Sequence, residues 1–480
     1  MDKLNIENQM EYLDKIYKLN NNKKLKYFIL TMGCQLNEND SEKLCGMIEK
    51  MGYSKTDNLQ ESDLVVFNTC CVRENAEEKL FGKIGEVKLI KEKRGTIIAI
   101  GGCMMQEKHI VDKIKKSYKF IDIIFGTHTL HQFPKDMYES VVENKKIEDI
   151  LDIDGEIIEG LPIVRNDNIK ASVTIINGCN NFCSYCIVPY VRGRERSRDP
   201  KDIINEITDI AKNGYKEITL LGQNVNSYKG NGNLGIYTFA DLLRQVNNIK
   251  GIERIRFISP HPKDFTMDVI EAIRDCEKVC KIIHLPVQSG STNILNKMNR
   301  KYTKEQYLEL VDKMKKNIPG VVFSTDIIVG FPGETEKDFE DTLDVVSKVH
   351  FEQVYMFIYS RRVGTPADIM DEQISEDVKH KRFNKLKSLA ESHIEENNKK
   401  YLGTIQKILV EGKSRYNENI LTGRTETNKI VNFEGENYLI GKIVSSKIIS
   451  DHMWYFKGEV DDNGWVFAND AALFGYKKTI

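Results

Sequence analysis

The chain has 480 residues, 40% hydrophobic and 29% charged, with a formal net charge of -1. That is too apolar for wholesale disorder and long enough for roughly three domains, while a near-neutral total is silent on nucleic acid because it can hide a basic domain. Residues 1–24 are polar and charged, without the apolar core of a secretory leader, and no later run is apolar enough to span a bilayer.

A cytoplasmic chain without a membrane partner is therefore expected. In that compartment ten cysteines are not a disulfide framework, and clustered ones point to metal or catalysis. From Lys26 onward the apolar runs KYFIL, LVVFN, TIIAIG and DIIFG alternate with helix-period segments at Ser41 to Met51 and Glu74 to Lys93. This predicts βα units around a parallel sheet over residues 25–140. Residues 141–168 are acidic and irregular, with Gly155, Gly160 and Pro162, and read as a linker. A second α/β series over 169–398 has six candidate strands, ASVTII, EITLLG, IRFIS, IIHLPV, VFSTDIIVGF and QVYMFIY, separated by helices such as Pro200 to Asn213 and Thr303 to Lys316. Six such units suggest a partial barrel. After a lysine-rich helix at about Glu376 to Lys400, the short runs TIQKILVEG, KIVNFEG and LIGKIVSSKII predict a small all-β barrel over 399–462, followed by a tail at 463–480.

Cys179, Cys183 and Cys186 form a C-x3-C-x2-C pattern in a loop after the first strand of the second series, where barrel sites form. Three thiolates suit a 4Fe-4S cluster with one iron left open; ferredoxins use four cysteines, and structural zinc takes four protein ligands. With Tyr185 before the last cysteine, the spacing is similar to that of the radical-SAM superfamily. An open iron can chelate S-adenosylmethionine and pass an electron to its sulfonium, giving a 5′-deoxyadenosyl radical. Cys34, Cys70 and Cys103 follow successive strands at intervals of 36 and 33 residues, one βα unit each, which puts them on one edge of one sheet. Spacing alone leaves them as either buried structural cysteines or a second three-cysteine 4Fe-4S site.

TMGCQLNENDSE, NTCCVRENAEEK, GGCMMQ, NGCNNFCSYCIVPYVRGRERSR, LLGQNVNSY, SPHP, HLPVQSGS and TDIIVGFPGETE together resemble the methylthiotransferase family of radical-SAM enzymes over nearly the whole chain. SPHP and RGRERSR most resemble the branch that modifies N6-dimethylallyladenosine beside the tRNA anticodon. The resemblance implies an N-terminal auxiliary-cluster domain, a central radical-SAM partial (β/α)6 barrel and a C-terminal TRAM barrel. It implies two 4Fe-4S clusters, with Cys34, Cys70 and Cys103 holding the auxiliary one. One S-adenosylmethionine would methylate a cluster sulfur, and a second would give the radical that removes hydrogen from C2 of the adenine, where methylthio is attached. Partners implied are a tRNA anticodon stem-loop, an electron donor such as flavodoxin or ferredoxin and a sulfur donor, with the enzyme a monomer. Cys71 departs from the family's Ser or Thr beside the ligand, and Cys70 is kept. The rivals are a methylthiotransferase for threonylcarbamoyladenosine or a ribosomal-protein aspartate, and a non-catalytic iron-sulfur RNA-binding protein.

Gln223, Asn224, Ser259, His261, Gln288 and Asp326 fall at strand C-terminal ends, where they either contact S-adenosylmethionine or cap helices and satisfy loops. Tyr185 packs on the adenine or fills its loop's apolar underside, the adenine being preferred. GNGNLG at Gly230 to Gly235 follows a polar stretch and reads as a flexible loop instead of a dinucleotide fingerprint. Cys276 and Cys280, at i, i+4 before a strand, and Cys45 read as core. From Lys399 to Lys447 nine Lys/Arg stand against five Asp/Glu. Arg424 and Lys429 there, with Arg192, Arg194 and Arg196 beside the cysteine loop, are candidates for phosphate contacts.

Overall fold

The computed structural model describes residues 2–71, 76–151, 157–232, 235–415 and 417–460. The expected tail at 463–480 and the first two residues of the expected helix at Glu74 lie outside them. The chain begins with helix α1 (Asp2–Asn20), which precedes the expected first domain and packs on it through Leu13 and Ile16. There follow β1 (Lys26–Thr31), α2 (Gln35–Lys50), β2 (Ser54–Lys55), β3 (Leu64–Thr69), α3 (Ala76–Arg94), β4 (Ile97–Gly102), α4 (Lys108–Ser117), β5 (Ile123–Phe125), α5 (Phe133–Val142) and β6 (Ile147–Asp149). The strands form one parallel sheet in the order β2-β1-β3-β4-β5-β6. LVVFNT is buried at every position, as a central parallel strand with helices on both faces requires. Val65, Phe67, Ile98 and Ile100 pack against α3 and α4, while Leu64, Val66 and Ala99 pack against α1, α2 and α5.

The segment expected as a linker differs. Its residues Ile147–Asp149 pair with β5 as an edge strand, and Leu161 and Val164 lie on the α2 core. Gly46 on α2 makes room for this pass, since a Cβ there would stand 2.4 Å from the carbonyl carbon of Pro162. Arg165 then ties the segment to the next domain by donating to Glu206, and Glu159 of the segment accepts from Arg198, which also holds Glu206.

The second domain runs β7 (Lys170–Thr174), β8 (Ile176–Asn177), α6 (Val188–Arg192), β9 (Arg196–Ser197), α7 (Pro200–Lys212), β10 (Glu217–Leu221), β11 (Lys229–Gly232), β12 (Gly235–Thr238), α8 (Phe239–Asn247), β13 (Arg254–Phe257), α9 (Met267–Asp275), β14 (Ile282–His284), α10 (Thr292–Lys297), α11 (Lys304–Asn317), β15 (Val322–Val329), α12 (Glu336–Val349), β16 (Gln353–Ile358) and α13 (Glu376–Lys399). The parallel sets β7-β10-β13 and β14-β15-β16 are joined by a parallel bridge between Ile255 and Val279, which gives the six-stranded open barrel. Thr238, Thr303 and Thr335 start their helices with reciprocal capping boxes, fixing where each loop over the mouth ends. GNGNLG, expected as a flexible loop, differs: residues 230–232 and Gly235 are paired residues of the antiparallel strands β11 and β12, with Asn233 and Leu234 outside the described residues. Cys276 and Cys280 are buried but do not share a helix, because α9 ends at Asp275.

The third unit is a closed barrel of β17 (Ile405–Ser414), β18 (Asn417–Thr425), β19 (Ile430–Glu434), β20 (Ile443–Asp451) and β21 (Tyr455–Glu459). It docks where the central strands begin. Arg254 and Arg256 of β13 donate to the carbonyls of Lys407, Arg424, Thr425 and Glu426, and Lys170 at the start of β7 pairs with Glu411. No helix among the described residues is long and apolar enough to cross a membrane.

Candidate cluster sites at the mouth of the central barrel

Cys179, Cys183 and Cys186 lie on the loop between β8 and α6, beyond the C-terminal end of β7. The loop is tied down from several sides. Cys179 N–H donates to Gly193 O (3.1 Å), Ser184 N–H to Met298 O (3.0 Å), and the Asn299 amide to the carbonyls of Asn181 and Phe182. Burial pushes the Cys179 thiol up to about 11 and that of Cys186 to about 12, a preference for the neutral thiol that a coordinating metal reverses. Arg300, which sequence reasoning missed, places Nη1 3.6 Å from Cys183 Sγ while its other nitrogens bond Tyr302 and Pro286 O.

The predicted strand-end polar residues surround this loop. Asn224 is buried, and its amide donates to Glu195 and Asp264. Asn224 Oδ1 and Gln223 Oε1 are buried without a partner, as expected where a ligand donor completes the bonding. Phe182, Ser259, Gln288 and Asn299 take positive φ of 46°, 58°, 68° and 58°, backbone strain of the kind that gathers at functional sites. Asp326 Oδ2 lies 3.4 Å from His284 Nε2. Tyr185 rests on an apolar cluster of Ile294, Met298, Phe331 and Tyr359, the underside of its loop. His261 is buried and bonded to Asn226, and burial holds its imidazole well below the usual pKa.

Cys34, Cys70 and Cys103 follow β1, β3 and β4, three adjacent strands, and so share one sheet edge. Asn37, also missed, is the hub of that edge. Its amide donates to Met32 O (3.0 Å) and Thr69 O (2.7 Å), and its Oδ1 lies 3.7 Å from the sulfurs of both Cys34 and Cys103. Gly33, at φ 121°, permits the contact with Cys70: a Cβ there would stand 2.5 Å from Cys70 Cβ and 2.8 Å from its sulfur. Cys71 packs in a cluster with Cys103, Ile187 and Val191. A hydrogen bond from Cys71, with Arg192 nearby, brings the Cys103 thiol down to about 6 despite its burial. Among the described residues no three His, Cys, Asp or Glu side chains converge as one metal ion would require; on a cubane each thiolate takes a different iron, so the sulfurs stand further apart.

The two thiol groups are neighbours across α6, which starts two residues after Cys186 and lays Ile187 and Val191 on Cys71 and Cys103. The interface continues with Thr127 Oγ1 on Val191 O (2.7 Å), Asn39 Nδ2 on Ser172 O (3.2 Å) and Thr174 Oγ1 on Asn39 Oδ1 (3.0 Å).

Two of the expected RNA contacts are corrected. Arg192 is 6% exposed and bonded to Cys103, Asn37 and Asp40, so it faces the second thiol group and not a phosphate. Lys429 pairs with buried Glu352 (2.6 Å) and bonds Asn398, spending its charge on docking the β-barrel. Arg424 is half-buried, 3.4 Å from Glu411 and bonded to Asn428; Arg196 donates to Arg192 O. Arg194 is exposed, over the Phe182 ring at 5.2 Å.

Three family models match the chain: the uncharacterized protein family UPF0004 over residues 26–126, the radical SAM superfamily over 173–346 and the TRAM domain over 399–460. The chain is 57% identical over 435 residues to the tRNA-2-methylthio-N(6)-dimethylallyladenosine synthase of Clostridium botulinum (strain Alaska E43 / Type E3), covering 90% of this chain and 95% of that one. It is 52% identical over 466 residues to the protein of the same name from Clostridioides difficile (strain 630), covering 95% and 97%. Among solved structures, the radical S-adenosylmethionine methyltransferase TsrM from Kitasatospora setae aligns with a TM-score of 0.53 at 14% identity over 72% of this chain and 75% of that one, a likeness of fold.

Proposed function

The chain belongs to the family of radical-SAM tRNA-2-methylthio-N(6)-dimethylallyladenosine synthases, and from that premise we propose how its residues divide the work. It adds a methylthio group to C2 of N6-dimethylallyladenosine next to the anticodon in tRNA. Cys179, Cys183 and Cys186 hold the radical-SAM 4Fe-4S cluster, and Cys34, Cys70 and Cys103 hold an auxiliary one. When bound, the first supplies the electron that cleaves S-adenosylmethionine and the second supplies the sulfur that is methylated and transferred. Gln223 and Asn224 offer their unpartnered oxygens to S-adenosylmethionine donors. Ser259, Gln288 and Asp326 complete the polar ring, and Tyr185 supports the cysteine loop beneath it. Arg194 and Arg424 meet tRNA phosphates. The first domain takes in β6 and so runs past residue 140 to Asp149, the second is 169–398 and the third 399–462. An electron donor such as flavodoxin or ferredoxin and a sulfur donor serve the enzyme, which works as a cytoplasmic monomer.

One observation carries this division: α6 leads out of one cysteine group and packs its apolar face on the other, so a substrate adenine between the two domains can reach both. The adenosine would have to be flipped out of the anticodon stack to reach them. Mass spectrometry of nucleosides from N6-dimethylallyladenosine tRNA, treated with anaerobically reconstituted enzyme, tests the reading. The expected product carries methylthio at C2; unmodified tRNA alongside active S-adenosylmethionine cleavage would sink it.

A further inference from the structure

We infer that Arg192 is a positioning residue for the second thiol group, holding Cys103 from the helix that leads out of the first one and lending it a positive charge. The inference rests on reading Cys34, Cys70 and Cys103 as cluster ligands. Arg192 closes α6, and its guanidinium reaches into the N-terminal domain: Nε donates to Cys103 Sγ (3.1 Å), and Nη2 to Asn37 Oδ1 (2.8 Å) and Asp40 Oδ2 (2.7 Å). At 6% exposure the guanidinium has left water, and it lies between the Cys103 sulfur and the Asp40 carboxylate, which is 17% exposed. A charge-assisted bond to a thiolate is stronger than a neutral one, and hydrogen bonds to cluster sulfurs and local net charge set iron-sulfur reduction potentials. A cation bonded to one ligand favours the more reduced, more negative cluster. Asn37 is shared: it ties the loops after β1 and β3 and also accepts from Arg192. One side chain thereby fixes the ligand's rotamer and the register of the two cysteine groups.

The test uses full-length protein carrying Cys179→Ala, Cys183→Ala and Cys186→Ala, so that a single cluster signals, with Arg192→Lys and Arg192→Met added in turn. Iron content and the midpoint potential by electron paramagnetic resonance are measured. Arg192→Met is expected to shift the potential negative, or to lose iron outright, with Arg192→Lys closer to the parent on the same readout. A role confined to docking the domains would leave both readouts unmoved. Equal potential and iron in Arg192→Met and parent, or Lys behaving no better than Met, would overturn the inference. A parent that binds no iron would instead overturn the ligand reading on which it rests.

Discussion

Cys70 and Cys71 are adjacent yet meet different surroundings, one against Gly33 and the other against Cys103, Ile187 and Val191. Cys71→Ser keeps a small donor toward Cys103, and is expected to retain methylthio transfer within roughly threefold, about 0.6 kcal/mol. Gly33→Ala forces a Cβ onto Cys70 at a φ that costs an L-residue about 1–3 kcal/mol, and should remove about half the bound iron while S-adenosylmethionine cleavage continues. Iron per chain together with 5′-deoxyadenosine formation checks both; full iron in Gly33→Ala would show that Cys70 is not held there. On α5, burial and then Asp149 push the Asp136 carboxyl up to about 8. Its folded form binds the proton more tightly than the unfolded form, near 3.9, so its contribution favours folding at low pH and declines as pH rises toward about 8. Asp136→Asn should flatten that slope and raise stability above pH 8 by on the order of a few kcal/mol. Denaturant titrations at pH 5 and 8.5 measure it, and an unchanged difference between the two would refute the assignment. The position of Cys34, Cys70 and Cys103 on one sheet edge was legible in the sequence because the apolar runs before them mark adjacent strands. Arg192 was not, since RGRERSR reads as a basic run for phosphate until the fold brings Asp40, 152 positions away, against it.

At the scale of elements, the apolar runs located the long parallel strands and both barrels, because continuous burial leaves a compositional mark. The three-residue edge strand β6 and helix α1 escaped, the first because it is only half-buried and polar, the second because just a narrow stripe of it meets α5. Charge was the poorer guide. The surplus of basic residues in the third unit pointed to RNA, but Lys429 sits at 14% exposure against Glu352 at 7%. Removing one partner of a buried pair strands the other, at about 3–5 kcal/mol. Lys429→Ala should therefore loosen the β-barrel, seen as an earlier calorimetric transition, without changing the salt dependence of tRNA binding. Arg424→Ala should lower that slope by about one unit. If Lys429→Ala lowered the slope and left the melting unchanged, the docking role would be wrong.

For the whole molecule, the arrangement sets two cysteine groups on two domains that pack together through α6, with the β-barrel anchored at the opposite end of the central strands. Long-range contacts of this kind are not written in local patterning, although the six strands that support them are. The account's central claim is that the groups do different chemistry. The direct measurement quantifies 5′-deoxyadenosine and methylthio-modified tRNA from the same reactions of Cys34→Ala, Cys70→Ala, Cys103→Ala, Cys179→Ala, Cys183→Ala and Cys186→Ala proteins. The first three are predicted to form 5′-deoxyadenosine and no methylthio product, and the last three to form neither; methylthio product from Cys34→Ala or Cys103→Ala would contradict the account.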